Sequence, residues 1–169
     1  MLNLPVMEPV QITTLAIEGE RLIIKDAMTM LYEEAETPEW PYVAVEHGEY
    51  LVWALIKDGQ NRGVRVSLAG SVDAKRGKEL GRVSVDHGAV AICEYDALLA
   101  AVKTDPDAYS DWTEDKCESA VWENESGVLR FGDVRIAYLK TGVGDGAFPV
   151  WELVERNRVI GMECLFTSE

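Results

Sequence analysis

Short apolar or alternating runs recur along the whole chain, each stopped by a polar turn that holds glycine or a cluster of charges. Stops this closely spaced favour strands over helices, so the chain is expected to fold as antiparallel hairpins. Tyr50 to Ile56 (YLVWALI) and Val64 to Leu68 (VRVSL) flank the turn Asp58–Gly63. Val64, Val66 and Leu68 alternate with Arg65 and Ser67, the pattern of a hairpin with one wet face. Val128 to Phe131 and Val134 to Leu139 are joined by Gly132-Asp133, and Phe148 to Val154 and Val159 to Phe166 by the polar turn Glu155–Arg158. Val10 to Lys25 reads as a further hairpin that reverses at Glu18-Gly19-Glu20, where glycine supplies the positive φ of a tight turn.

Between these runs the signal is weaker. Ala27 to Glu36 reads as a loop with at most one helical turn, and Pro38 and Pro41 bracket Trp40. Ala69 to Arg82, with Lys75, Arg76, Lys78 and Arg82 and three glycines, reads as a mobile basic loop, and Val83 to Cys93 resumes strand character around Asp86-His87-Gly88. One amphipathic helix is expected over Tyr95 to Lys103, where Tyr95, Leu98, Leu99 and Val102 share a face, ending near Thr104 before Pro106. A second helix starting near Asp111, with Trp112, Lys116 and Ser119 on one face, is a thinner pattern. A chain of 169 residues with 47% apolar and 27% charged residues fits one globular domain, 1–169. About eight to ten strands with one or two helices make it mainly β (α+β), a β-sandwich or open barrel of antiparallel hairpins with helical decoration.

Two segments echo each other. Gly48-Glu-Tyr50-Leu-Val52-Trp53-Ala-Leu55 and Gly146-Ala-Phe148-Pro-Val150-Trp151-Glu-Leu153 share the pattern Gly-x-aromatic-x-Val-Trp-x-Leu, 98 residues apart (Gly48 to Gly146). Chance recurrence of strand-forming residues is one explanation; two related sheet halves about a pseudo-two-fold axis is the other. Both faces of these strands are apolar, which places Trp53 and Trp151 in the core.

Thr141-Gly142-Val143-Gly144-Asp145-Gly146-Ala147-Phe148-Pro149-Val150 resembles the Thr/Ser, Gly, GDG-aromatic-Pro-Val signature near the end of bacterial proteins of the domain-of-unknown-function 4241 family. Leu22–Asp26 resembles that family's early strand-then-Asp element, Val45–Val52 its Gly-x-Tyr-x-Val strand, and Val83–Gly88 its Val-Asp-x-Gly step before a helix. The resemblance implies a β-rich cytosolic domain without an agreed activity, and it carries no catalytic residues across. Where that family usually has Pro or a small residue before the glycine, this chain has His47 and His87.

Candidate chemistry is sparse. The two histidines stand in Glu46-His47-Gly48 and Asp86-His87-Gly88, so His47, Asp86, His87 and Asp145 are the candidates for a metal or acid–base site. Adjacent strand residues point to opposite faces, which works against either pair binding one ion. The TGVGDG loop is followed by a strand without the Lys and helix start that a phosphate loop needs, so it reads as a structural turn. No serine lies in a nucleophile elbow, Cys93, Cys117 and Cys164 lack CxxC spacing, no catalytic residue is assigned and no cofactor is expected.

Charge is the stronger signal. Lys and Arg total 16 against 30 Asp and Glu, a net charge of −14, which disfavours direct binding to nucleic acid or an anionic membrane. No run is apolar and long enough to cross a bilayer, and a cytoplasmic location is expected. The acids concentrate around Glu33, Glu34, Glu36 and Trp40, and again over Asp111, Trp112, Glu114, Asp115, Glu118 and Trp122, and these ten residues are the candidate binding surface. The expected partner is a basic protein, as an immunity or inhibitor protein would meet on a toxin, nuclease or other nucleic-acid enzyme. The rival readings are a metal-dependent hydrolase built on the two His-Gly segments, and a homodimer or other homo-oligomer formed through the Trp112–Trp122 region.

Overall fold

Strands that alternate and strands that are apolar throughout go to different sheets. The computed structural model describes residues 7–29, 38 and 40–167. One sheet contains β1 (Glu8–Ile17), β4 (Gly48–Lys57), β5 (Gln60–Leu68), β6 (Lys75–Val85), β10 (Gly146–Glu155) and β11 (Arg158–Leu165), in the order β1-β4-β5-β11-β10-β6. The other contains β2 (Arg21–Asp26), β3 (Tyr42–Ala44), β7 (Ala89–Glu94), β8 (Ser126–Phe131) and β9 (Val134–Lys140), in the order β3-β2-β7-β9-β8. Every pairing is antiparallel, and both sheets are open.

Among the described residues the six-stranded sheet is covered on one face. Tyr50, Val52, Val64, Val66, Val150, Met162 and Cys164 point inward, while Trp53, Arg65, Trp151 and Glu163 alternate outward. The five-stranded sheet is covered twice. Leu22, Ile24, Val90, Ile92 and Leu139 meet the first sheet, and Ile23, Ala91, Cys93, Ile136 and Tyr138 meet the helices. Continuous runs such as Leu22-Ile23-Ile24 and Ala89–Cys93 follow from that double burial, each large apolar side chain contributing about 1.5–3 kcal/mol.

The echo marks a real pseudo-two-fold relation. Arg65 and Glu163 face each other across β5 and β11, 98 residues apart, and the registers repeat on either side of them. Val52 pairs Val66 as Val150 pairs Cys164, and Tyr50 pairs Leu15 as Phe148 pairs Val83. In the other sheet Ile24 faces Ile92, with Val43 beside Leu22 as Leu139 stands beside Val90. The halves are therefore β1 to β5 and β6, β7, β9, β10, β11. The second carries an insertion, the helices and β8, between its second and third strands. Gly63 and Gly161 are equivalent. A Cβ on Gly63 would stand 2.7 Å from the Cys164 carbonyl oxygen, and one on Gly161, at φ 154°, would stand 1.8 Å from that of Val66.

The insertion begins with α1 (Tyr95–Thr104), which buries Tyr95, Leu98, Leu99 and Val102 as its spacing requires. α2 (Pro106–Trp112) starts at Pro106 rather than near Asp111, because Asp105 caps it, accepting the Ala108 amide at 3.0 Å, and proline suits the first turn. A π-helical turn, Thr113–Cys117, leads into α3 (Glu118–Glu123). The inward stripe is Tyr109, Thr113, Cys117 and Val121, not Trp112, Lys116 and Ser119. A repeat of four overruns the 3.6 residues of an α-turn, and the π-turn absorbs the excess.

Three further expectations change. Val10–Lys25 is no hairpin: β1 and β2 lie in different sheets, and Glu18–Glu20 crosses between them. Lys75–Arg82 is not loop but most of edge strand β6, whose bases suit an exposed edge that must not pair with another chain. Trp53 and Trp151 leave the core and lie half-buried on the uncovered face, where Arg76 stacks 4.2 Å from the Trp151 ring. On that face Glu163, only 4% exposed, is clamped by Arg65 at 2.6 Å and Arg76 at 2.7 Å. The described strands number eleven.

Candidate functional site

The last residue of β2 organises one end of the sandwich. Asp26 is fully buried, and its carboxylate is surrounded by donors. Oδ1 accepts the amides of Met28 at 2.8 Å and Thr29 at 3.1 Å; Oδ2 accepts those of Asp86 at 2.6 Å and His87 at 3.0 Å. His87 Nδ1 lies 2.9 Å from Oδ1. Burial pushes the Asp26 carboxyl up, but the amides and the imidazole outweigh it and hold the group below the usual carboxylate range. An ionised Asp26 can only accept, so His87 carries a proton on Nδ1, and Nε2 has no partner among the described residues.

His87 borders a cleft of about 570 Å³ at the meeting of four chain segments. The β4–β5 turn supplies Gln60 and Asn61, the β6–β7 connection Asp86 and His87, the end of α3 and the start of β8 Val121, Trp122 and Glu125, and the β9–β10 segment Lys140 and Asp145. Asp145 Oδ1 accepts the Gly88 amide at 2.8 Å, tying the TGVGDG loop to the His87 turn. Gly142 and Gly144 hold φ of 75° and 83°, and a Cβ on Gly142 would stand 2.3 Å from the Asn61 carbonyl oxygen, so that loop needs its glycines for shape. Asn61 donates to the Lys140 carbonyl at 3.0 Å, and Lys140 Nζ lies 3.2 Å from the Trp122 carbonyl and 3.9 Å from Glu125. No Ser, Thr or Cys is among the described residues lining the cleft.

The pseudo-equivalent end is plainer. There Glu94, the last residue of β7, accepts the amides of Glu18 and Gly19, as Asp26 accepts those of Asp86 and His87. Gly19 stands where His87 stands, so the imidazole has no counterpart. Burial raises the Glu94 carboxyl above the usual range, and the Glu18 amide only partly offsets it.

Asp86, His87 and Asp145 thus share one cleft, while His47 lies elsewhere, exposed, near Glu94. Among the described residues no three His, Cys, Asp or Glu side chains are grouped to hold a metal ion. Cys93, Cys117 and Cys164 are all buried; burial pushes Cys93 up to about 12 and Cys117 to about 11. Glu33, Glu34 and Glu36 lie outside the described residues. Trp40 is half-buried, its ring 5.5 Å from the ammonium of buried Lys25. Trp112 is held inside the helical layer against Tyr109 and Phe131, at ring distances of 5.8 and 5.5 Å. Trp122 is 67% exposed. Asp111, Glu114, Asp115 and Glu118 are all exposed on the helical layer.

Asp26 was not a candidate from the sequence. Its signal is a charge at the end of Leu22-Ile23-Ile24, a run apolar enough to be buried on both faces. Comparison with family models, with curated proteins and with solved structures finds no match to this chain.

Proposed function

We propose that this chain is a non-enzymatic binding module whose helical layer caps a basic surface of another protein, in the manner of an immunity or inhibitor protein acting on a toxin, nuclease or other nucleic-acid enzyme. The reading is carried by one observation. Asp111, Glu114, Asp115 and Glu118 follow i, i+3, i+4, i+7, all are exposed, and none enters an ion pair among the described residues. Like charges on one helical face cost stability, and a cationic partner relieves that cost and is drawn in faster than a neutral one. Trp122, exposed on the same helical segment, adds an aromatic contact of the kind that anchors interfaces. Membership of the 4241 family is a separate proposal and rests on the TGVGDGAFPV segment.

The test is capture from the native host. The unmodified chain should retain a strongly basic protein, released by raised salt. The variant Asp111→Asn, Glu114→Gln, Asp115→Asn, Glu118→Gln should lose it. Capture of no basic protein, or retention unchanged in the variant, defeats the reading.

The acid–base enzyme is favoured by one observation, the Asp26–His87 pair, since an imidazole oriented by a carboxylate is the usual general base. Its described lining offers no Ser, Thr or Cys for that base to activate.

A further inference from the structure

We propose that the cleft beside His87 receives the guanidinium of an arginine on the basic partner. The inference deepens the binding-module reading and rests on it; the cleft shares Trp122 with the helical face but none of its four carboxylates.

The lining decides the chemistry. Asp86, Glu125 and Asp145 bring three carboxylates, and Lys140 is the one cation among the described lining residues. Lys140 is already turned toward the Trp122 carbonyl and Glu125. Asp145 spends Oδ1 on the Gly88 amide and has no described partner for its other oxygen. His87, fixed on Asp26 through Nδ1, has no described partner for Nε2, which is a further acceptor whenever the ring is neutral. A space of about 570 Å³ with this balance favours a cation rich in donors and repels anions.

Two more observations narrow it. The Glu94 end closes the same turn with backbone amides and a carboxylate but with Gly19 in place of the imidazole, so His87 is not required to make the turn. Trp122 stands at the cleft with most of its surface bare. A guanidinium is planar, stacks on an indole and presents a fork of donors to carboxylates, which a lysine ammonium does not. The helical acids attract the basic partner, and the cleft holds one of its side chains.

The probe is Nα-acetyl-arginine methylamide, titrated into the full chain while the Trp122 and His87 ring signals are followed by NMR. Saturable binding is expected, and the citrulline analogue, which keeps the shape without the charge, should bind at least about tenfold more weakly. Trp122→Ala should weaken the arginine probe about fivefold. Asp145→Asn, which keeps an acceptor for Gly88, should weaken it by a similar factor. The four-residue helical variant should leave it within about twofold, because those side chains lie outside the cleft. Equal binding of the citrulline probe, no saturable change at Trp122 and His87, or indifference to Trp122→Ala overturns the proposal. Loss of binding in the helical variant also overturns it, by placing the site on the wrong surface. If instead the arginine probe binds and the basic host protein is not captured, the cleft stands and the binding-module reading falls.

Discussion

The two ends of the sandwich solve one folding problem with different side chains. At each, the strand that enters the five-stranded sheet finishes in a carboxylate, and that carboxylate takes the exposed amides of a turn in the opposite half. The halves are thus stitched to each other twice. At the Glu94 end the addition is an ion pair, Arg21 with Asp96 at 2.7 Å. At the Asp26 end a histidine joins the carboxylate, and the insertion unique to the second half brings Val121, Trp122 and Glu125 to wall a cleft. A pseudo-symmetric scaffold needs the stitch at both ends but the imidazole and the wall at neither, which is why the proposed arginine site is placed at the Asp26 end.

The comparison breaks most readily at the shared glycines. Gly161→Ala puts a methyl against the Val66 carbonyl at a φ that resists a side chain, and a loss of about 4 kcal/mol or failure to fold is expected. Gly63→Ala, with more room, should cost roughly half as much by urea denaturation. Equal costs would mean that the strands crossing at the axis are spaced more evenly than their glycines indicate.

The carboxylates come next. Asp26→Asn turns an amide group toward buried amides that need an acceptor, and should cost about 3 kcal/mol. Glu94→Gln, at a half-buried site with fewer donors, should cost under about 1 kcal/mol. His87→Ala should be smaller still, since the stitch needs only the His87 amide.

The two carboxylates also respond oppositely to pH. Asp26 is held below its ordinary value, so its contribution is complete above that value and is lost as pH falls through the lower folded one. Glu94 is held above its ordinary value of 4.5, so its ionisation opposes folding, and protonating it on the way down from neutrality strengthens the fold. Urea midpoints should therefore rise slightly from neutrality toward pH 4.5 before falling in stronger acid. Part of that rise should vanish in Glu94→Gln, and an identical profile in the variant contradicts the assignment.

The sequence was most informative where a turn and its two strands are local. The hairpins over 48–68, 126–140 and 146–165 and the helix over 95–104 were legible because alternation, glycine and apolar spacing lie within a few residues of one another. What failed depends on distant partners. Nothing local separates a turn that returns to its own sheet from one that crosses to another, as Glu18–Glu20 does. An edge strand such as β6 needs few apolar residues, and Trp53 is left half-buried because no described layer covers its face of the sheet. Within the cleft Asp86, His87 and Asp145 were visible as unusual residues beside glycines, but their meeting and the role of Asp26 follow from pairings across the chain.

The π-turn at Thr113–Cys117 sets the rotational phase of everything after it. If the same residues wound as an ordinary α-helix, with none removed, Val121 and Trp122 would swing round the axis by about 100°. The indole would then leave the mouth of the cleft while the sheets stayed as they are. One surplus amino acid in the backbone thus acts as the indexing pin that aims the aromatic face.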